Sequence, residues 1–289
     1  MAPMRASGVQ LWGIVNVTPD SFSDGGKAET AEAAVRQGLR LAHAGAVVVD
    51  VGGASSRPRG VAYGAGAVVV APEVEAQRVL PVVEALHAAG IQVSIDTTQW
   101  RVAEAALAAG ASIVNDVSCA RDARLLETVA AHDAGYVLMH RRGDGATVGK
   151  DAAYDNVVEA VCTELEAALS RVVAAGVCRE RVWLDPGLGF SKDSAASRML
   201  LAGLASLGRF GLPLVVGASR KAFLAVEGPS GDMIPAPERD PASYVAALIA
   251  VEGGASALRV HDVAGTRQAL LAAQRLAWDT SAAATPRGA

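Results

Sequence analysis

Two groups of polar residues in the sequence have the side-chain types needed to bind a ligand. The first group combines two carboxylates, an amide and an ammonium, in Asp96, Asn115, Asp185 and Lys221. These groups can bind a flat heterocycle, because carboxylates accept from its N–H groups while the amide and the ammonium donate to a ring nitrogen or carbonyl. Met139 and Phe190 could pack on the faces of such a ring, although ordinary core packing explains Met139 nearly as well.

The second group is richer in positive charge. It combines two guanidiniums, an imidazole, a hydroxyl and an amide, in Asn16, Ser55, Arg57, Arg259 and His261. One guanidinium group can donate to two phosphate oxygens at once, so this set suits a polyphosphate and its metal ion. Structural ion pairs are the alternative role for Arg57 and Arg259, and their places beside Ser55 and His261 favour the phosphate role.

The stretch LWGIVNVTPDSFSDGG, residues 11–26, changes character at Asn16. An apolar run that is typical of a buried strand gives way to a loop of Asn, Thr, Asp, Ser and Gly with Phe22 inside it. A loop that only reversed the chain would not need so many hydrogen-bonding groups or an apolar ring. We therefore expect this loop to bind a ligand.

The elements that must position these groups form a repeated pattern of short β-branched runs and longer helical stretches. The runs that predict strands are Leu11–Val15, Ala46–Val51, Gln92–Ile95, Ser112–Val114, Tyr136–Met139, Arg181–Leu184, Leu214–Val216 and Ala257–Val260. Helical periodicity is found, for example, over Thr30–Ala44, Pro72–Ala89, Arg101–Ala109, Asp155–Ala175, Ala242–Glu252 and Val263–Ala277. Several helices end in a turn containing a glycine, such as Gly45 or Gly110, whose left-handed backbone stops a helix.

Eight strand-then-helix units predict an all-parallel sheet covered by helices, and eight such units suit closure into a single (β/α)₈ TIM barrel. The predicted barrel domain spans residues 1–280, and the Ala/Thr/Pro-rich tail 281–289 is expected to be disordered. An open doubly wound sheet is the alternative. Such a sheet normally has a G-x-G-x-x-G loop after its first strand, and GIVNVTPDS does not match it.

In barrel enzymes the chemistry lies in the loops at the C-terminal ends of the strands. Each predicted strand of this chain is followed by at least one strong hydrogen-bonding group. One aspartate in such a position is equally well explained as a helix cap. Eight polar ends that converge on one mouth favour a binding site.

Composition narrows the class of protein. The chain has 289 residues, of which 51% are hydrophobic and 19% charged, with a net charge of −4. These values predict a soluble globular protein with no nucleic-acid or membrane partner. Its three cysteines lack metal-type spacing, their odd number argues against a disulfide framework, and MAPMRASG has no signal-peptide core, so we expect a cytoplasmic location.

Seven motifs, in order along the chain, resemble those of the dihydropteroate synthase family of folate biosynthesis. They are NVTPDSFSDGG, DVGG with SSRP, SIDT, the Asn-Asp pair after the fourth strand, DPGLGF, GASRK and RVHDV, within residues 10–277. The resemblance implies a homodimeric barrel that is the target of sulfonamides. The family joins 6-hydroxymethyl-7,8-dihydropterin pyrophosphate to p-aminobenzoate, giving 7,8-dihydropteroate and pyrophosphate.

The resemblance also implies a role for each matching residue. The first group, with Met139 and Phe190, would hold the pterin, and the second group would hold the pyrophosphate, with Asn16 helping to place Mg²⁺. Pro19 and Phe22 would lie against the aminobenzoate ring, with Ser219 near its carboxylate. From the charges involved we expect an S_N1-like displacement in which the catalytic side chains are Asp96, Asp185, Lys221 and Arg57.

The chain departs from the family pattern after the second strand. Ala54 replaces the usual glutamate, Arg59 separates Pro58 from Gly60, and the segment VAYGAGAVVV (61–70) follows. Arg141 and Arg142 also make the loop after His140 more basic than the pattern.

Two other functions stay open. The methyltetrahydrofolate:corrinoid methyltransferases share the Asp, Asn and Asp pterin set but have no use for the first loop, Ser-Arg-Lys or Arg-Val-His, all of which are present here. Ala54 and the altered loop suggest a non-catalytic or weakly active pterin-binding paralogue. The intact residues Asn16, Arg57, Lys221 and His261 argue against this alternative.

Overall fold

The computed structural model of the chain describes residues 8–18, 27–54, 70–143 and 153–283. Pro19, Phe22, Ser55 and Arg57 lie outside these ranges, as do Arg59 and residues 61–69 of the altered loop. The expectations for these residues therefore stay predictions.

Eight parallel strands form one sheet, which confirms the predicted barrel architecture. The strands are β1 (Gln10–Asn16), β2 (Val48–Gly52), β3 (Gln92–Asp96), β4 (Ile113–Asp116), β5 (Gly135–Met139), β6 (Val182–Asp185), β7 (Val215–Val216) and β8 (Ala257–Val260). Their order is β6-β5-β4-β3-β2-β1-β8-β7. A single parallel bridge between Leu184 and Leu214 brings β6 and β7 together, so the sheet forms a nearly closed barrel.

A helix follows each strand. The helices are α1 (Lys27–His43), α2 (Pro72–Ala88), α3 (Trp100–Ala108), α4 (Ala123–Ala131), α5 (Val157–Ala174), α6 (Ser194–Ala202), α7 (Asp240–Glu252) and α8 (Val263–Ala283). Helix α8 ends three residues inside the segment 281–289, and the expectation of a disordered tail stays a prediction. Gly110 ends the turn after α3 with φ of +110°, where a Cβ atom would collide with the ring of His87. No helix within the described ranges is long and apolar enough to cross a membrane.

Alternation along the strands separates two apolar cores. The inner core consists of Trp12, Val48, Ile113, Val137, Val215 and Ala257, with Trp183 packed against it. Trp12 and Trp183, from β1 and β6, meet across the barrel with ring centroids 5.3 Å apart. The residues that alternate with these, such as Val49, Val114 and Leu184, belong to the outer core beneath the helices. Because side chains alternate between the two faces of a strand, residues two or four positions beyond the inner core also face the barrel interior.

Candidate active site

The same alternation places most of the expected site residues inside the barrel, above its apolar floor. Asn115, Met139, Asp185 and Arg259 each lie two positions beyond a member of the inner core, and Asn16 and His261 lie four positions beyond one. Strand pairing also puts Asn16, Gly52, Asp96 and Asn115 in register across β1 to β4. Polar residues of β1, β3 and β4 therefore form one row with Gly52 of β2 at the barrel mouth.

A cluster of charged groups joins the two predicted groups of residues. Arg259 donates from Nε to Asp50 and from Nη2 to Asp96, the second bond being 2.6 Å long. Asn115 donates from its amide nitrogen to the same Asp50 oxygen over 3.2 Å. Arg259 thus takes part in an ion pair, which was the alternative to its phosphate role. One of its partners, Asp96, is a residue expected to bind the pterin.

Burial and charge determine how this cluster ionises. Burial raises the pKa of Asp96 to about 7, with Arg259 opposing the increase and Asp50 adding to it. Burial alone would lower the pKa of Arg259, but the negative charges of Asp50 and Asp96 outweigh burial and raise that pKa above the usual range. Arg259 therefore stays charged, while the Asp96 carboxylate gains considerably from any further positive or N–H donor group that approaches it.

Asp185 and Lys221 form the second part of the site, next to Gly217. A Cβ atom on Gly217 would lie 3.9 Å from Asp185 Oδ2 and 4.0 Å from Lys221 Nζ. Burial raises the pKa of Asp185, and Lys221 opposes the increase. Burial likewise lowers the pKa of Lys221 to about 8, with Asp185 opposing. Lys221 Nζ also lies 4.6 Å from the centre of the Phe190 ring, so an ammonium, a carboxylate and an aromatic ring converge there.

The remaining predicted residues lie at the same mouth. Met139 is 2% exposed and pairs in register with Asp185 on the next strand. Ser219 and His261 contact each other, with the serine Oγ 3.0 Å from His261 Nδ1. The structure thus brings together the described members of both groups.

Comparison with known proteins identifies the family. Residues 12–261 match the family described as pterin binding enzyme. The chain belongs to this family of pterin-binding enzymes. The dihydropteroate synthase of Mycobacterium leprae is 43% identical over 271 residues, which is 92% of this chain and 93% of the relative.

Solved structures of pterin-binding enzymes agree with this assignment. The Xanthomonas albilineans dihydropteroate synthase with 4-aminobenzoic acid has a TM-score of 0.83 and 41% identity, covering 97% of this chain and 95% of that one. The same enzyme in complex with 7,8-dihydropteroate has a TM-score of 0.80 and 38% identity, covering 97% and 96%. The Yersinia pestis enzyme with a sulfonamide drug complex has a TM-score of 0.83 and 36% identity, covering 94% and 95%. Within the pterin-binding family, the chain belongs with the dihydropteroate synthases.

The site of this pterin-binding enzyme also includes two groups whose roles could not be predicted from the sequence. Asp50 is fully buried and links Asn115 to Arg259. Its position two residues before Gly52 is the sequence signal that could have placed it inside the barrel. Lys192 is 2% exposed and belongs to the loop between β6 and α6. Lysine occurs at only four positions in the chain, but nothing in the local sequence shows that this lysine is buried.

His140 connects Lys192 to helix α5. Its Nδ1 lies 2.8 Å from Lys192 Nζ and its Nε2 lies 3.0 Å from the Glu164 carboxylate. Because an ammonium can only donate and a carboxylate only accept, the imidazole is neutral and carries its proton on Nε2. Burial, followed by the positive charge of Lys192, lowers the pKa of His140 to about 4, although Glu164 opposes the decrease.

His140 should make the protein less stable in mild acid. Its pKa is about 4 in the folded chain against a usual value of 6.5, so between these values the unfolded chain binds a proton that the folded chain does not. The free energy of unfolding should therefore fall by about 3 kcal/mol as pH decreases from 6.5 to 4. We expect His140→Gln to lose this part of the pH dependence in urea unfolding, while the exposed control His87→Gln keeps it. An unchanged slope in His140→Gln would contradict the assignment.

Proposed function

We propose that the chain condenses 6-hydroxymethyl-7,8-dihydropterin pyrophosphate with p-aminobenzoate, forming 7,8-dihydropteroate and pyrophosphate. The observation that carries this proposal is the convergence of Asp96, Asn115, Asp185 and Lys221 inside one barrel mouth. The proposal is supported by the Xanthomonas albilineans relative, whose structures contain 4-aminobenzoic acid and 7,8-dihydropteroate.

The pterin edge fits the hydrogen-bonding groups of the site. A pterin presents amino and ring N–H donors next to a carbonyl and ring-nitrogen acceptors. The Asp96 and Asp185 carboxylates and the Asn115 amide oxygen can accept from the donors, while Lys221 can donate to the acceptors. Asp50 fixes the direction of the Asn115 amide, because the amide nitrogen already donates to it. The amide oxygen is then the end of Asn115 that can accept from a pterin N–H group.

The charges favour a dissociative displacement. The methylene C–O bond breaks with its electron pair going to pyrophosphate, and the positive charge left on the methylene spreads over the pterin. Asp96 and Asp185 stabilise that charge, while Arg57, Arg259 and His261 stabilise the leaving group. The aminobenzoate nitrogen then forms the C–N bond and loses a proton. This nitrogen needs no strong base, because an aromatic amine is already neutral at pH 7.

Mg²⁺ is part of the proposal through Asn16. Among the described residues, no three His, Cys, Asp or Glu side chains cluster in a way that could hold a metal ion. The Asn16 amide oxygen at the end of β1 is a suitable single ligand, because Mg²⁺ commonly keeps several waters and takes its other ligands from substrate phosphates. When bound, the ion would neutralise charge on the pyrophosphate.

A pterin-binding paralogue without activity is the second candidate. It is favoured by Ala54, which follows Gly53 at the end of β2 where the family usually has glutamate. Mass spectrometry of the products formed from both substrates with Mg²⁺ separates the two functions. Dihydropteroate formation supports the synthase. Binding of the pterin by calorimetry without any dihydropteroate would favour the paralogue.

We further propose that the enzyme is a cytoplasmic homodimer that binds sulfonamides in the place of aminobenzoate. Large apolar side chains are exposed on the neighbouring helices α6, α7 and α8, including Met199 (60%), Val245 (57%) and Leu271 (53%). The three free cysteines suit a reducing compartment. Sedimentation should give twice the chain mass of 29.4 kDa. A mass of one chain at micromolar concentration would contradict the dimer.

A further inference from the structure

Lys192 makes three contacts from one buried ammonium group. Its Nζ donates to the carbonyl oxygens of Gly187 (3.0 Å) and Phe190 (2.9 Å) and lies 2.8 Å from His140 Nδ1. An ammonium has three N–H donors, so all of them are used. Burial lowers the pKa of Lys192 to about 7, and Asp185 partly opposes the decrease. Near neutrality the charged form therefore depends on these three acceptors.

The two carbonyls belong to the loop that follows β6. Asp185 ends that strand, and its Oδ1 accepts from the N–H of Gly187 over 2.7 Å. Gly187 has φ of +67°, and a Cβ atom there would collide with the carbonyl oxygen of His140. The loop conformation is thus specific, and it presents both Asp185 and Phe190 to the barrel mouth.

Lys221 holds the same loop from the other side. Its ammonium donates to the carbonyl of Leu188, which lies between the two carbonyls bound by Lys192. In the proposed function Lys221 must also donate to the pterin. If Lys221 alone held the loop, turning its donors to the substrate would loosen the residues that the substrate needs.

His140 and Glu164 fix the position of Lys192 in turn. Glu164 accepts from His140 Nε2 and forms an ion pair with Arg142, whose Nε lies 2.9 Å from Oε1. Burial opposes ionisation of Glu164, but the bonds from His140 and Arg142 lower its pKa to about 2. A charged carboxylate on α5 therefore orients the imidazole that accepts from Lys192.

We propose that Lys192 is a positioning residue that holds the loop after β6 ready for the pterin, so that Lys221 can donate to the substrate. This inference rests on the proposed function, since it names the residue that prepares the same site. Its expected benefit is preorganisation, because the loop needs no further ordering when the pterin binds.

The first test replaces Lys192 with methionine. We expect Lys192→Met to weaken binding of 6-hydroxymethyl-7,8-dihydropterin, measured by calorimetry, by ~10-fold or more. The matched control is Leu165→Ala, which truncates a fully buried residue of α5 that belongs to the outer core. This control should lower the unfolding temperature while leaving pterin affinity within about 2-fold. Equal pterin affinity in Lys192→Met and the wild type, or losses that only follow the unfolding temperature, would overturn the proposal.

A second test uses the wild-type protein and so does not depend on whether the variant folds. The N–H groups of Gly187, Gly189 and Phe190 donate to Asp185, Ser197 and Gly187. We expect these amides to be protected from hydrogen exchange before any pterin is added, with little further protection on binding. Amides that become protected only with pterin would overturn the role of Lys192. Failure of the wild-type protein to bind pterin at all would instead contradict the proposed function, while the exchange of the free protein still tests the loop.

Discussion

Replacing Arg259 with methionine is expected to lower kcat/KM by ~100-fold or more and the free energy of unfolding by about 3 kcal/mol. The guanidinium is 19% exposed and bonds two carboxylates, of which Asp50 is fully buried and Asp96 is 12% exposed. Without it, two negative groups inside the barrel lose their counter-charge. Removing one partner of a buried pair leaves the other charge uncompensated, which is why the stability loss is large.

Two further variants separate stability from chemistry at this position. Arg259→Lys keeps the charge but cannot bridge two carboxylates with a planar fork, so we expect stability to recover more than activity. Adding Asp50→Asn to Arg259→Met removes one unpaired carboxylate, which should restore part of the stability and none of the turnover. Steady-state kinetics and urea unfolding on the same samples measure both effects. Recovery of activity together with stability in the double variant would show that Arg259 is only structural.

Replacing Asp185 with asparagine should reduce kcat/KM on the order of 10³-fold, with most of the loss in kcat. Asparagine has the shape of aspartate and can still accept from the Gly187 N–H, so the loop should keep its conformation. The change removes the negative charge that the proposed pterin cation requires. Pterin affinity, measured by calorimetry, should decrease much less than kcat.

Asp116 provides the matched control for this prediction. It is also a buried aspartate at a strand end, but it alternates to the outer face of the barrel, where it accepts from Tyr136 Oη (2.6 Å) and the Ser118 N–H (2.7 Å). Asp116→Asn should lower the unfolding temperature and leave kcat within about 3-fold. A loss in Asp185→Asn that lies wholly in pterin affinity would mean that Asp185 recognises the substrate without stabilising the transition state.

The fold could be predicted from the sequence because the periodicity of each strand and helix is visible within a short stretch of the chain. Each predicted strand lies within about two residues of the observed one, and β8 over Ala257–Val260 agrees at both ends. A parallel barrel brings the C-terminal ends of its strands to one mouth, whichever side chains pack its core. Asp96, Asn115 and Asp185 could therefore be grouped from the sequence alone. Alternation inside the strands then explains why these particular polar residues point inward.

The partners of each side chain could not be predicted in the same way. The pairing of Arg259 with Asp50 depends on the stagger of β8 against β1, which sets Arg259 opposite Trp12 instead of Asn16. That register is a tertiary property, and nothing in the local sequence reports it. Lys192 was missed for a similar reason, since its acceptors are main-chain carbonyls and an imidazole 52 residues away.

Pyrophosphate release from the pterin substrate distinguishes a dihydropteroate synthase with a dissociative displacement from the alternatives. Purified protein would be mixed with 6-hydroxymethyl-7,8-dihydropterin pyrophosphate and Mg²⁺, with and without p-aminobenzoate. We expect rapid release that yields dihydropteroate when aminobenzoate is present. From the pterin substrate alone we expect a slow but measurable release, because the C–O bond breaks without the nucleophile. Complete absence of release without aminobenzoate would contradict the dissociative displacement, and absence of release in both reactions would contradict the synthase itself.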